Sequence, residues 1–416
     1  MQKYIINGGK RLSGSIVAQT SKNAVLPILA GSILTDEQVV IKSCPKMGDV
    51  LSMIKILSEL GVKCTFYNDD LLVEPKYIDK YKISSDSAKE LRSSIFLLGA
   101  LISRFKKADV PLPGGCEIGL RPIDIHISAL RQLGVIINES QNGVVCRAEK
   151  LNSGVICLSS PSVGATENVI LASIFIDGTV VVKNCAREPE IVDLANFLNQ
   201  MGAKIRGAGN KTIVIEGVKR LYGTEYRPIS DRIEIGTFLL GSLITGGEIE
   251  IKQIDYKNIR ALINKICDNT CAIRVKNDII YIKSGIVKKP FNITTGPFPK
   301  FPTDLQSQML ALSTICCGHS VITERIFENR FRQVDEFKKM GAIIRVNQNR
   351  ADVFGVKSLH GASVTALDLR GGASLVLAGL NAEGQTTVVD VSHIERGYYQ
   401  FTEKLSMLGA DITKKD

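Results

Sequence analysis

Two periodicities alternate along the chain in a fixed order, and the order recurs roughly every 70 residues. Each round opens with an almost unbroken apolar run, as at 24–34, 168–176 and 374–380, which predicts a helix covered on all sides. A short β-branched strand follows, as at 39–41, 180–182 and 387–389. A polar loop then leads into an amphipathic helix. In the third round Ile191, Leu194, Ala195 and Leu198 recur at helical spacing on its apolar face. That helix ends on an apolar residue plus glycine: Leu60-Gly61, Leu133-Gly134, Met201-Gly202, Met340-Gly341 and Leu408-Gly409. Glycine is the expected residue there because the position after a helix adopts left-handed backbone angles. A degenerate copy, Asn269-Thr270-Cys271-Ala272-Ile273, stands where the remaining one is due. Two strands close each round; in the third they are 204–206 and 212–215, joined by Gly207-Ala208-Gly209-Asn210.

The last round stops after the strand at 410–413 and lacks its hairpin partner. Tyr4-Ile5-Ile6-Asn7 supplies the missing pattern. Lys10-Arg11-Leu12-Ser13-Gly14 matches Lys219-Arg220-Leu221-Tyr222-Gly223 and Lys357-Ser358-Leu359-His360-Gly361, which open later rounds. The N-terminus is therefore expected to close a cycle of six βα units, an α/β fold in two domains of three units. One domain spans 20–229; the other combines 1–19 with 230–416. A cleft between two such domains is a favoured place for a ligand and is the expected active site.

With 416 residues and 44% hydrophobic content, the chain can build two real cores, mainly aliphatic since tryptophan is absent. The formal charge of +10 points to anionic partners. The cations are scattered, which disfavours a dedicated nucleic-acid binder. No signal peptide or membrane-length run is expected, and ten cysteines read as reduced cytoplasmic thiols. The spacings of Cys267 and Cys271, and of Cys316 and Cys317, match no usual zinc pattern, so neither metal nor cofactor is expected.

Chemistry concentrates in two places of the repeat. The segment Pro113-Gly114-Gly115-Cys116-Glu117-Ile118-Gly119-Leu120-Arg121-Pro122 is a glycine loop carrying a thiol near a guanidinium. A nearby cation favours the thiolate, although a surface turn that happens to hold one cysteine has the same composition. Polar residues also mark the start of each apolar helix: Ser21-Lys22-Asn23, Leu91-Arg92-Ser93, Ser162-Val163-Gly164, Ser230-Asp231-Arg232, Pro302-Thr303-Asp304 and Asp368-Leu369-Arg370. Serine and aspartate serve as N-caps. Lys22, Arg92 and Arg370 oppose the helix dipole, a better match to a bound phosphate or carboxylate. The second place is the loop before the amphipathic helix, where Arg121, Arg187, Arg330 and Arg396 recur. Each alone reads as a solvated charge; together they suggest a basic site for a multiply anionic ligand.

These motifs, with Ala186-Arg187-Glu188-Pro189-Glu190, Phe327-Glu328-Asn329-Arg330 and Glu395-Arg396-Gly397-Tyr398, resemble the UDP-N-acetylglucosamine enolpyruvyl (1-carboxyvinyl) transferases. The resemblance runs the length of the chain. It implies the inside-out α/β barrel of the enolpyruvyl transferases. It also implies transfer of the enolpyruvyl group of phosphoenolpyruvate to the 3′-hydroxyl of UDP-N-acetylglucosamine, with release of phosphate, in peptidoglycan synthesis. By that resemblance Cys116 is the acid and the thiol that fosfomycin alkylates. Lys22, Arg121 and Arg396 bind phosphoenolpyruvate, and Arg92 is a further cation. Asp304 meets the sugar hydroxyl and Asp368 assists proton removal. Asn23, Arg121, Pro122, Ile123, Asp124, Ser162, Val163, Gly164 and Ile326 contact the UDP-sugar, and Arg330 and Arg370 support the site. A cytoplasmic monomer or weak oligomer is implied. Many relatives carry lysine where this chain has Ser160, which bears on one diphosphate contact. The shikimate-pathway enolpyruvyl transferase is the nearest rival, but Leu91-Arg92-Ser93-Ser94 and Cys116 distinguish this chain from it. A non-catalytic UDP-sugar-binding paralogue is the other, and intact Cys116, Asp304, Lys22 and Arg396 argue against it.

Overall fold

The computed structural model describes residues 2–90, 92–111, 123–267, 271–285 and 289–416, without the side chains of 88–90, 92, 93 and 271. The described residues divide into two compact units, 2–19 with 230–416, and 20–229.

The unit at 20–229 is built on the helices Lys22–Ser32, Leu97–Phe105 and Val163–Ser173. They pack on one another and are buried nearly all round, as their unbroken apolar runs require. Three half-exposed helices, Gly48–Glu59, Asp124–Gln132 and Pro189–Gln200, bury one face each; the last buries Ile191, Leu194, Ala195 and Leu198. Sheets carry the remaining apolar positions. Strand Thr179–Lys183 alternates between covered and uncovered residues, so its valines face inward at every second position.

The unit containing both termini repeats the plan with the buried helices Arg232–Thr245, Gln306–Ser313 and Leu369–Asn381. Lys3–Asn7 lies between Gln385–Val389 and Asp411–Lys415, antiparallel to both, with Ile6 opposite Ile412. The N-terminal strand is thus the missing hairpin partner. Ser13–Val17 pairs in parallel with Glu248–Lys252, as Thr224–Tyr226 does with Val39–Ile41 in the other unit. The chain's two ends therefore complete sheets that its middle leaves open.

Gly61, Gly134, Gly202, Gly341 and Gly409 all have φ between 85° and 103°, the left-handed stop that each amphipathic helix demands. Asn269 and Thr270 of the degenerate copy lie outside the described residues. Among the described residues no helix is long and apolar enough to cross a membrane. The eight cysteines with described side chains carry no disulfide.

Candidate active site

In the unit at 20–229, Lys22 opens its buried helix and is itself only 8% exposed. Its ammonium sits 2.8 Å from Asp49 Oδ2, in the first turn of Gly48–Glu59. The cation that opposes one helix dipole is thereby offset by a carboxylate at the start of the next. Asn23 is half-buried beside it. Ser162 acts as an N-cap, its Oγ accepting from Ala165 N–H at 3.3 Å. Gly164 is required by close packing: a Cβ there would stand 2.8 Å from His126 Cε1. Asn168 accepts from Gly99 N–H at 2.6 Å and donates toward the Ile95 carbonyl and His126 Nδ1. It ties the second and third buried helices together directly behind Ser162–Gly164. Val163 and Ile123 are half-buried, and Asp124 is exposed in the first turn of its helix. Arg187 donates to the Gly209 carbonyl at 3.3 Å. Cys116, Arg121 and Pro122 lie outside the described residues, as does the Arg92 side chain.

One feature of this unit was not singled out from sequence. Glu167 has no exposure, and neither of its carboxylate oxygens has a hydrogen-bond partner among the described residues. Burial, then the charges of Glu190 and Glu188, push its carboxyl well above the usual carboxylate range. The signal was there: Glu167 is the lone acid inside an otherwise uncharged helical run.

In the other unit the charges gather around one carboxylate. Asp304 lies in the turn Thr303–Leu305, just ahead of the buried helix Gln306–Ser313. Arg330 Nη2 donates to its Oδ1 at 2.7 Å, and Arg370 Nη2 to its Oδ2 at 3.1 Å. Both guanidiniums are buried, their side chains 2% and 3% exposed, whereas the Asp304 side chain is 27% exposed. The arginines thus stand behind the carboxylate and present it outward. A carboxylate oxygen has two lone pairs, so a single bond from an arginine does not by itself prevent it from taking a hydroxyl proton. Arg330 is no solvated loop charge: it also donates to the Thr303 carbonyl, from 27 residues away in sequence. The trio carries one net positive charge, and Arg330 Nε and Arg370 Nη1 are buried without acceptors among the described residues.

Asp368 caps Leu369–Asn381, its Oδ1 accepting from Arg370 N–H and Gly371 N–H at 2.9 Å each. Its Oδ2 is buried and unbonded among the described residues. Arg396 is half-buried at the C-cap of Ser392–Glu395, where the dipole favours a cation. The next residues are clamped by Gln19, which accepts from Tyr399 N–H at 2.9 Å and donates to the Gly397 carbonyl.

Glu324 is the other residue that motif reading missed. It is 1% exposed. Its Oε1 accepts from Thr295 Oγ1 and from Ile326 N–H, and its Oε2 accepts from Thr303 Oγ1. One carboxylate therefore fixes both the Asp304 turn and the Ile326 loop. Strand alternation could have found it, since Ser320, Ile322 and Glu324 share the inward face at period two.

The sequence pattern that defines EPSP synthase (3-phosphoshikimate 1-carboxyvinyltransferase) matches residues 6–405. The chain is 47% identical to UDP-N-acetylglucosamine 1-carboxyvinyltransferase 2 of Caldanaerobacter subterraneus subsp. tengcongensis, covering all of both chains. It is 45% identical to UDP-N-acetylglucosamine 1-carboxyvinyltransferase 1 of Clostridium perfringens, again over the whole of each. Among solved structures, the enolpyruvyl transferase NikO from Streptomyces tendae matches with a TM-score of 0.87 at 24% identity, over 100% of this chain and 99% of that one. EPSP synthase from Acinetobacter baumannii matches with a TM-score of 0.75 at 17% identity, over 100% of each chain. The two structural likenesses establish a shared fold.

Proposed function

The chain belongs to the EPSP synthase family of enolpyruvyl transferases, and from that premise we propose that it is a UDP-N-acetylglucosamine 1-carboxyvinyltransferase. It transfers the enolpyruvyl group of phosphoenolpyruvate to the 3′-hydroxyl of UDP-N-acetylglucosamine and releases phosphate, in the enolpyruvyl-transfer step of peptidoglycan synthesis. The observation that carries this reading is full-length identity to relatives of that name, well above the identity to either solved structure.

The chemistry assigns each group a task. Phosphoenolpyruvate brings a phosphate and a carboxylate, and Lys22, Arg121 and Arg396 are the cations for them, with Arg92 in support. Cys116 gives a proton to the methylene carbon while the sugar oxygen bonds to the adjacent carbon. Asp304 takes the hydroxyl proton, its carboxylate held in place by the two arginines. The resulting tetrahedral ketal loses phosphate together with a methyl proton, which restores the double bond. Asp368 assists that proton removal with the oxygen its helix cap does not use. Asn23, Arg121, Pro122, Ile123, Asp124, Ser162, Val163, Gly164 and Ile326 contact the UDP-sugar. Arg330 and Arg370 hold Asp304, and Glu324 holds the Ile326 loop. No cofactor takes part, and the enzyme works in the cytoplasm as a monomer or weak oligomer.

The Cys116 role is tested with fosfomycin. Cys116→Ser is expected to lose most turnover and all covalent labelling by the drug. Cys116→Asp is expected to keep turnover and escape the drug, because a carboxyl donates a proton but attacks an epoxide poorly. Full fosfomycin inhibition of Cys116→Asp contradicts the assignment.

A further inference from the structure

Behind Arg370 lies a polar cluster with no part in the reaction described above. Tyr398 is 2% exposed, and its ring lies against the Arg370 guanidinium, 5.3 Å from centroid to Cζ. Its hydroxyl reaches two other buried helices: Thr237 Oγ1 of Arg232–Thr245 at 2.8 Å, and Gln308 Nε2 of Gln306–Ser313 at 3.1 Å. The proton directions follow from the donor count. Thr237 donates its one proton to the Ile233 carbonyl at 2.8 Å. Tyr398 must then donate to Thr237, and it accepts from the Gln308 amide. Burial raises the phenol above its ordinary range despite the neighbouring guanidinium, so it stays a neutral donor. Tyr398 thereby joins all three buried helices of this unit at one point, and Arg370 rests on its face as a cation–π contact.

Besides Tyr398, the charges of Asp304 and Asp231 act on the Arg370 guanidinium. Nη2 bonds Asp304, while Nη1 is buried without an acceptor among the described residues. We propose that Tyr398 is a positioning residue, its pinned ring fixing Arg370 and, through it, the Asp304 carboxylate at the reacting hydroxyl. This rests on the transferase reading above. A small displacement of a proton acceptor costs on the order of 10²-fold in rate, so the effect falls on turnover more than on substrate affinity.

The test is single-turnover phosphate release with enzyme in excess, so that slow variants remain measurable. Tyr398→Leu removes the ring and the anchor; its rate constant is expected to fall ~10–100-fold, with the half-saturating UDP-N-acetylglucosamine concentration within ~3-fold of wild type. Tyr398→Phe keeps the ring but loses the hydroxyl anchor, and its rate constant is expected to lie between those of wild type and Tyr398→Leu. In an Arg370→Lys background, Tyr398→Leu is expected to cost less than ~3-fold, because the group it acts through is already changed. Equal losses in both backgrounds, or a loss confined to substrate affinity, overturn the proposal. Should Tyr398→Leu fail to fold, Thr237→Val removes the anchor instead and is read through the same cycle. Wild-type enzyme that releases phosphate while the losses add sinks this inference alone. Wild-type enzyme that releases none sinks the transferase reading, and the inference with it.

Discussion

The two units follow one plan and each pairs buried charge, as Lys22–Asp49 does in the unit at 20–229, but they hold two acids, Glu167 and Asp304, in opposite ways. In the unit at 20–229, Glu167 is enclosed with no partner for either oxygen among the described residues, and Glu190 and Glu188 act on it with the same sign. It escapes the cost of a buried charge by holding its proton. In the unit containing the termini, Asp304 is gripped by two buried guanidiniums. The second arrangement is the costlier one. It leaves two N–H groups without acceptors among the described residues, each worth about 1–3 kcal/mol of lost solvation. Such a set adds little to stability, which makes it the candidate for a chemical role that the variants below test.

The sharpest way to break the comparison is to remove the paired acid. Asp304→Asn keeps the shape but weakens proton acceptance, and kcat is expected to drop ~10²–10⁴-fold with the fold intact by circular dichroism. Unchanged kcat would make the cluster structural. Next, Arg370→Met leaves Asp304 with one guanidinium. Breaking a buried ionic set on one side typically costs about 3–5 kcal/mol, to be read from chemical denaturation. A stability within ~1 kcal/mol of wild type would show the pairing to be slack.

Glu167→Gln should do the reverse. The folded carboxyl of Glu167 is raised, so between the unfolded value and the folded one the native state holds a proton that the unfolded state has lost. Stability from Glu167 is therefore complete below pH ~4.5 and declines as pH rises, by at most about 1.4 kcal/mol per unit. Glutamine does not titrate, so the variant should gain on wild type as pH rises above 5. A constant difference over that range would mean that Glu167 ionises freely. The smallest effect is expected at Glu324→Gln, which keeps the side chain's length but offers one acceptor oxygen in place of two. UDP-N-acetylglucosamine KM should rise several-fold, about 1 kcal/mol, with kcat nearly unchanged, since the Ile326 loop loosens while Asp304 keeps its arginines.

What could be read from the chain and what could not divide along physical lines. Apolar runs, glycine stops and the orphan strand at 410–413 are local patterns, and they foretold the buried helices and the pairing of Lys3–Asn7 with Asp411–Lys415. Glu324 was legible in principle from strand alternation. The burial of Arg330 was not, because it follows from a contact 26 residues away that no periodicity encodes. Tyr398 is further out of reach: its hydroxyl matters only because three separate helices converge on it. The pairing of Lys22 with Asp49 of the next helix is likewise a contact that no local pattern encodes.

Phosphate release from phosphoenolpyruvate, measured with UDP-N-acetylglucosamine, with shikimate 3-phosphate and with neither, tests the central claim most directly. Release with the UDP-sugar alone, abolished by prior fosfomycin treatment, is the predicted result. Release with shikimate 3-phosphate alone would keep the fold and the family but contradict the proposed substrate. No release with either acceptor, alongside measurable UDP-sugar binding, would contradict catalysis itself.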